Sequence, residues 1–153
     1  MRKIFLALLA LALAAGCTQQ ASEGPPPQVG PRACWSLDKC IRLEIVSTPE
    51  AMQRGLMFRE SLLAGQGMLF EFPENRHPVI WMKNMLFPID ILWLDPAGKI
   101  VWVQENAPPC GQEPCETYSA REPAYYVLEV PAGYAKENHL ETGKKLEIPP
   151  TSG

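Results

Sequence analysis

Beyond Cys40, the apolar residues of this chain stand in short runs separated by turn-forming residues, and this spacing restricts the fold more than any other feature. Such runs are typical of β-strands. In residues 41–47 (IRLEIVS), Ile41, Leu43 and Ile45 alternate with polar residues, as in a half-buried strand. The chain also has 16 prolines, about twice the usual share of roughly 5%. Long uninterrupted helices are therefore excluded.

The same pattern predicts six further strands. They cover residues 67–72, 78–85, 89–94, 100–104, 125–130 and 145–148. The sequence shows no internal repeat and no second domain boundary. Residues 95–99 (DPAGK) predict a hairpin turn with Gly98 at positive φ. We expect a mainly β domain, compact and mostly antiparallel, with one or two short helices.

One helix is predicted after the first strand. Residues 48–50 (TPE) supply a hydroxyl cap, a proline at the first position and an acid in the first turn. The helix should extend over about 50–60 and turn Met52, Leu56 and Leu63 inward. Gly55, which weakens a helix by about 1 kcal/mol relative to Ala, should make it short or irregular.

Residues 1–16 have the composition of a secretory signal, with two cations before a short apolar run. The run is shorter than the roughly 20 residues that a membrane-spanning helix needs. It ends in AAGC at 14–17, which resembles the lipobox of bacterial lipoproteins, although Ala14 stands where that motif usually has Leu. The resemblance implies cleavage before Cys17 and lipid, including palmitate, attached to Cys17. The alternative is ordinary secretion with Cys17 as a free thiol.

Residues 18–33 contain four prolines and no apolar cluster, so they predict an extended tether rather than part of a core. The folded domain should then occupy residues 34–150. Thr18, rather than Asp, follows the lipid-attachment cysteine. By resemblance to sorting patterns of Gram-negative envelopes, this predicts a lipoprotein of the outer membrane that faces the periplasm.

The charge of the chain argues against a nucleic-acid partner. Its formal net charge is −3, and loss of the signal segment would remove two further cations. Affinity for nucleic acid comes largely from neutralisation of phosphates by Lys and Arg. The partners that we expect are therefore the membrane, reached through Cys17, and a small-molecule or glycan ligand. The oligomeric state is not specified by any pattern.

The four cysteines that remain after Cys17 form an even set, which is typical of disulfides in an oxidising compartment. They are Cys34, Cys40, Cys110 and Cys115. Four cysteines allow three connectivities, of which we favour the local one, 34–40 and 110–115. A zinc site is the alternative, but the spacings C-x5-C and C-x4-C do not match zinc patterns.

Eight residues are candidates for a binding site. Each is polar or aromatic and either lies beside predicted core positions or lies in or near the loop at 106–124. Long loops pinned by a disulfide often contain binding sites. Asp90 interrupts an apolar run, where a carboxylate needs a hydrogen-bonding or ionic partner. The candidates are Arg54, Arg59, Trp81, Lys83, Asn84, Asp90, Tyr118 and Glu129.

Standard catalytic signatures are absent from the sequence, including G-x-S-x-G, H-E-x-x-H and phosphate-binding glycine loops. The two histidines, His77 and His139, lack nearby acids that would suggest a metal centre. Five methionines could supply thioethers for Cu(I), although Met at strand or helix spacing is more often core filler. They are Met52, Met57, Met68, Met82 and Met85. We therefore predict no cofactor and no metal.

Several motifs in the same order resemble the family known as domain of unknown function 192. They are RGLMFR at 54–59, GMLFEF at 67–72, WMKN at 81–84, PIDI at 88–91, C-x4-C-x2-YS at 110–119 and YVLE-x2-AG at 126–133. Many members have Thr where this chain has Met85. The resemblance covers residues 41–148 and implies a small β-rich domain, barrel-like or jelly-roll-like and often exported. It implies no activity.

Three hypotheses account for the eight candidates. In a binding module, the cations and Asn84 form a pocket with Trp81 as a stacking surface for an anionic or sugar-like envelope ligand. In a structural or protein-interaction domain, Asp90 and Glu129 pair with the two arginines and fix the fold. In a hydrolase-type enzyme, Asp90 or Glu129 acts as a general acid or base. We favour the binding module and no catalytic residue.

Overall fold

Eight strands and two short helices form within residues 30–150, the part of the chain that the computed structural model describes, apart from the side chains of Pro73 and Asn75. The predicted signal segment, Cys17 and the tether as far as residue 29 lie outside it. The elements are β1 (Arg32–Cys34), β2 (Cys40–Val46), α1 (Pro49–Arg54), β3 (Gln66–Arg76), β4 (Val79–Trp81), β5 (Ile89–Leu94), β6 (Ile100–Ala107), β7 (Thr117–Ser119), β8 (Ala124–Pro131) and α2 (Tyr134–Glu137).

Six strands form one sheet in the order β1-β2-β3-β8-β5-β6, while β4 and β7 form a separate pair. The expectation of a mainly β domain with two short helices is confirmed. The sheet is open, however, with β1 and β6 at its edges, so it is not closed into a barrel. The pair β2–β3 is parallel, because the chain crosses over through α1 before it returns to the sheet.

The large sheet separates two apolar clusters. Every residue of β5 is buried, and successive side chains point to opposite faces. Ile89, Ile91 and Trp93 pack in the first cluster, together with Leu56 and the β4–β7 pair. Leu92 and Leu94 pack in the second cluster with residues of α2 and of the C-terminal segment. The candidate site lies on the first of these faces.

Both disulfides have the predicted local connectivity. Cys34 and Cys40 are bonded with an S–S distance of 2.05 Å, and this bond joins the end of β1 to the start of β2. Cys110 and Cys115 are bonded at 2.13 Å and close a loop beyond β6. Since all four thiols are used in this way, the zinc alternative is wrong for these cysteines.

The boundaries of several predicted segments differ from the structure, including those of β3, which is longer than predicted at Gln66–Arg76, and of β6, at Ile100–Ala107. The predicted tether ends inside β1, where Ala33 is fully buried. The strand predicted at 78–85 ends at Trp81. The strand predicted at 145–148 forms only isolated bridges, from Lys145 to Lys99 and from Glu147 to Cys34. No helix within residues 30–150 is long and apolar enough to cross a membrane.

The turn at 95–99 forms as predicted. Asp95 Oδ1 accepts hydrogen bonds from the N–H groups of Ala97 and Lys99, at 2.8 and 2.9 Å. Gly98 has a φ of 78°, and a Cβ at this position would overlap the carbonyl oxygen of Leu146. Only glycine therefore fits this turn beside the C-terminal segment.

Candidate functional site

A cleft of about 260 Å³ opens on the first face of the sheet, between the α1 segment and the β4 segment. Strands β3 and β8 form its floor. Its apolar lining residues are Met52, Leu56, Met57, Phe70, Phe72, Val79, Ile80, Trp81 and Met85, and the lining also includes Gln53, Arg54, Gly55, Lys83 and Glu129. An adjoining groove of about 440 Å³ shares Arg54, Trp81 and Lys83 with the cleft and adds Asn84.

The early end of α1 places Arg54 at the mouth of this cleft. The side chain of Thr48 caps the helix by accepting a hydrogen bond from the N–H of Ala51 at 3.3 Å. At Gly55 the φ of 47° stops the helix, and its N–H donates to the carbonyl of Ala51 at 2.8 Å. The predicted extension to residue 60 is therefore wrong. Leu56 is buried as expected, but Leu63 is 62% exposed.

The opposite wall is a turn rather than the predicted continuation of a strand. Asn84 has a φ of 57°, and its carbonyl accepts a hydrogen bond from the N–H of Phe58 at 2.9 Å. The carbonyl of Met82 accepts a hydrogen bond from the N–H of Cys110 at 3.0 Å. These bonds tie the turn to the α1 segment on one side and to the disulfide-closed loop on the other.

Lys83 projects from this turn and makes two charged contacts. Its Nζ lies 5.6 Å from the centre of the Trp81 ring, within the range of a cation–π interaction. The same Nζ forms an ion pair with the carboxylate of Glu113 in the Cys110–Cys115 loop. Lys83 lines the cleft, whereas Glu113 does not. The lysine therefore faces the cleft with one carboxylate already beside it.

Glu129 lies on β8 and lines the floor of the cleft. Met68 on β3 and Ile91 on β5 are its cross-strand neighbours, and the glutamate is only 5% exposed. Within the described part of the chain its carboxyl group forms no hydrogen bond or ion pair. Burial removes water from the carboxylate and raises the pKa of Glu129 to about 8, although the charge of Arg59 opposes the shift.

Arg59 does not pair with Glu129, because Glu44 on β2 binds both of its terminal nitrogens. The two N–H···O contacts are each 2.7 Å long and form a bidentate pair. The hydrogen bonds from Arg59 lower the pKa of Glu44, and those to Glu44 raise the pKa of Arg59. The arginine is thus held at the edge of the site, near enough to influence Glu129 electrostatically.

Asp90 lies on the opposite face of the sheet, away from the cleft. It is fully buried, and its two oxygens accept hydrogen bonds from backbone N–H groups of different elements. Oδ1 accepts from Asn106 on β6 at 2.8 Å, and Oδ2 accepts from Ala135 on α2 at 2.9 Å. Asp90 therefore joins β5 to its neighbours on the second face.

Tyr118 also lies outside the cleft. It pairs with Ile80 across the small sheet, and its hydroxyl donates a hydrogen bond to Glu116 at 3.0 Å. Burial raises the pKa of Tyr118, and the bond to Glu116 adds to the effect. It lines a separate groove against the loop at 108–116.

The structure thus brings five of the eight predicted residues together and leaves three outside the cleft. Arg54, Trp81, Lys83, Asn84 and Glu129 line the cleft and the adjoining groove. Sequence reasoning assigned Met52, Met57 and Met85 to copper ligands or core, and missed that they line the cleft. It also missed Glu113, for which the only signal was an acid inside a predicted disulfide loop. The described residues contain no cluster of three or more His, Cys, Asp or Glu suited to a metal.

Known proteins that are similar to this chain include one family and several solved structures. The family model DUF192, described as "Uncharacterized ACR", matches residues 34–148. A crystal structure from Sinorhizobium meliloti 1021, described as a candidate transcription regulator, is 33% identical with a TM-score of 0.68, and the match covers 79% of this chain and 97% of that chain. The crystal structure of a protein of unknown function from Novosphingobium aromaticivorans DSM 12444 is 27% identical to this chain, with a TM-score of 0.69. The match covers 76% of this chain and 83% of that chain. No curated protein matches the chain.

Proposed function

Because this chain belongs to the DUF192 family, whose description names no activity, we propose its function from the cleft. The domain is a binding module for a small anionic ligand with an apolar body. A lipid on Cys17 holds it in the bacterial envelope, at the periplasmic face of the outer membrane. The apolar body lies along the floor and walls of the cleft, and the anionic group lies at its mouth.

The observation that supports this function most strongly is the pair of cations at an otherwise apolar cleft. Nine of its lining side chains are apolar or aromatic, whereas Arg54 and Lys83 stand at the opening. Arg54 has no ion pair within the described part of the chain, so its guanidinium is available to a ligand. Apolar pockets with a few placed polar groups are the common form of small-molecule sites.

A sugar-like ligand fits this cleft less well. Sugars need many hydrogen-bonding groups and a free aromatic face, but Trp81 already has Lys83 over its ring at 5.6 Å. Methionine side chains adapt to irregular apolar ligands, and Met52, Met57 and Met85 all line the cleft. We therefore narrow the ligand class to anions with an apolar body.

Two further functions receive less support. The Sinorhizobium relative is described as a candidate transcription regulator, but the 17 acidic residues of this chain outnumber its 14 Lys and Arg, which disfavours phosphate binding. A hydrolase that forms a covalent intermediate would need a nucleophile beside Glu129. None of the described residues that line the cleft is Ser, Thr, Cys or His.

The binding site is tested with 4-phenylbutyrate and its uncharged amide, titrated by calorimetry into the full chain in detergent. We expect the anion to bind more tightly than the amide, and Lys83→Gln and Arg54→Gln each to weaken its binding about tenfold, as for a lost charge-assisted hydrogen bond. Glu113→Gln should strengthen binding, because it removes the carboxylate that now pairs with Lys83.

The matched control is Lys136→Gln, an exposed lysine on α2, which should leave the affinity unchanged. Equal binding of the anion and the amide would contradict the proposal. So would an unchanged affinity in both cleft variants, since the cations would then have no part in recognition.

The lipid anchor is tested separately by metabolic labelling with radioactive palmitate. We expect the label on the wild-type chain and its loss in Cys17→Ala, together with accumulation of the unprocessed form in globomycin. A mature protein that begins at another residue and contains no label would show ordinary secretion instead.

A further inference from the structure

We infer that Glu129 is the innermost polar contact of the cleft and donates a hydrogen bond to an uncharged oxygen of the ligand. The ligand class is thereby an amphipathic anion with a carbonyl oxygen at the end remote from its charge. This inference rests on the proposed function of the cleft. It adds which group of the ligand is bound at the cleft floor.

The position of Glu129 is fixed by the sheet. Strand β8 lies between β3 and β5, so the backbone at Glu129 is paired on both sides, with Met68 and with Ile91. The side chain lines the floor of the cleft below the walls that contain Arg54 and Lys83. A ligand whose anion rests on those cations would direct its other end toward this carboxyl group.

Glu129 has an unused capacity for hydrogen bonding. It is 5% exposed, and no described residue donates to it or accepts from it. Arg59 acts on Glu129 through its charge, but both terminal nitrogens of that guanidinium bind Glu44 at 2.7 Å. Buried polar groups are nearly always hydrogen-bonded in folded proteins. A polar atom of a ligand in the cleft would supply the missing partner.

The protonation state decides which ligand atom fits. Burial raises the pKa of Glu129 to about 8, so the carboxyl group is mainly protonated at neutral pH and can donate. A cationic ligand group is disfavoured, because Arg59 lies nearby and Arg54 and Lys83 stand at the mouth. Glu44, the carboxylate that binds Arg59, is already paired. An uncharged carbonyl oxygen is the acceptor that these surroundings tolerate.

The experiment uses probes that match in shape and differ only in the acceptor. These are the para-acetyl and para-isopropyl derivatives of phenylacetate, 3-phenylpropionate and 4-phenylbutyrate, titrated by calorimetry into the full chain in detergent. At about pH 6 we expect the acetyl compound of the best-fitting length to bind about tenfold more tightly than its isopropyl partner. At about pH 9.5 the preference should disappear, because Glu129 is then ionised.

Two variants of Glu129 separate the effect of its hydrogen-bonding proton from the effect of side-chain shape. Glu129→Gln keeps a donor that does not ionise, so it should keep the acetyl preference at both pH values. Glu129→Leu removes the donor and should show no preference at either. Anions that bind without an acetyl preference, or a preference that persists in Glu129→Leu, would overturn the inference and leave the proposed function standing. If none of the anions binds better than an uncharged amide, both are wrong.

Discussion

Replacing Asp90 with Ala is expected to lower the free energy of unfolding by about 3 kcal/mol, because one buried and one partly buried N–H group lose their acceptor, and a buried N–H left unpaired costs about 1–3 kcal/mol. Those N–H groups belong to Asn106 and Ala135. Asp90→Asn should cost about as much, since its amide oxygen still accepts one hydrogen bond but its NH2 group then faces the other N–H donor. Urea denaturation of the full chain in detergent measures both changes.

The control for Asp90 is Asp38→Ala, an exposed acid whose one side-chain partner within residues 30–150 is Ser36. Asp38→Ala should change the free energy of unfolding by no more than about 0.5 kcal/mol. Folded Asp90→Asn should also bind 4-phenylbutyrate like the wild type, because Asp90 and the cleft lie on opposite faces of the sheet. An Asp90→Ala protein as stable as the wild type would show that these hydrogen bonds contribute little.

The second large effect is a fall in stability as the pH rises. Glu129 has a pKa of about 8 in the folded chain, against 4.5 for the exposed group. Between these values the folded state holds a proton that the unfolded state has released, so stability decreases with rising pH. The protonated Glu129 contributes its full share of the folding stability below about pH 4.5, and this share is lost above about pH 8. The total loss of folding stability is on the order of 5 kcal/mol.

Glu129→Gln should abolish this slope, since an amide does not titrate, and should be more stable than the wild type in alkaline buffer. The matched control is Glu122→Gln, which changes an exposed acid and should keep the wild-type slope. Urea midpoints measured across the pH range give the comparison. The same slope in wild type and Glu129→Gln would mean that another group causes it. Glu44, whose pKa is lowered, acts in the opposite sense and below this window.

The central strands were predictable because burial on both faces leaves an unbroken apolar run. Strand β5 covers the predicted residues 89–94, and every one of them is buried. The small elements were not predictable. Strand β7 has three residues and pairs only with β4. Helix α2 has four residues and follows Gly133, which provides no side-chain cap, so neither leaves a periodic pattern in the sequence.

Part of the candidate site was predictable, because polar residues beside core positions must form hydrogen bonds or ion pairs, or reach solvent. Which of them meet depends on strand register, which no local pattern provides. Ile91 pairs directly with Glu129, so Asp90, one residue earlier on β5, must point to the other face. The choice of Glu44 as the partner of Arg59 likewise depends on the parallel placement of β2 beside β3, which the sequence did not predict.

The Cys34–Cys40 bond also determines how the domain responds to tension. A pull on the chain before residue 30 reaches β1 first, where it loads the three residue pairs between β1 and β2 and the bridge from Cys34 to Glu147. At Cys34 the load passes through the disulfide to Cys40, so residues 35–39 bear none of it. The force then enters β2, which five residue pairs hold against β3. Tension on the N-terminal chain therefore reaches β3, part of the cleft floor, through the β2–β3 pairs, after the β1–β2 pairs have opened.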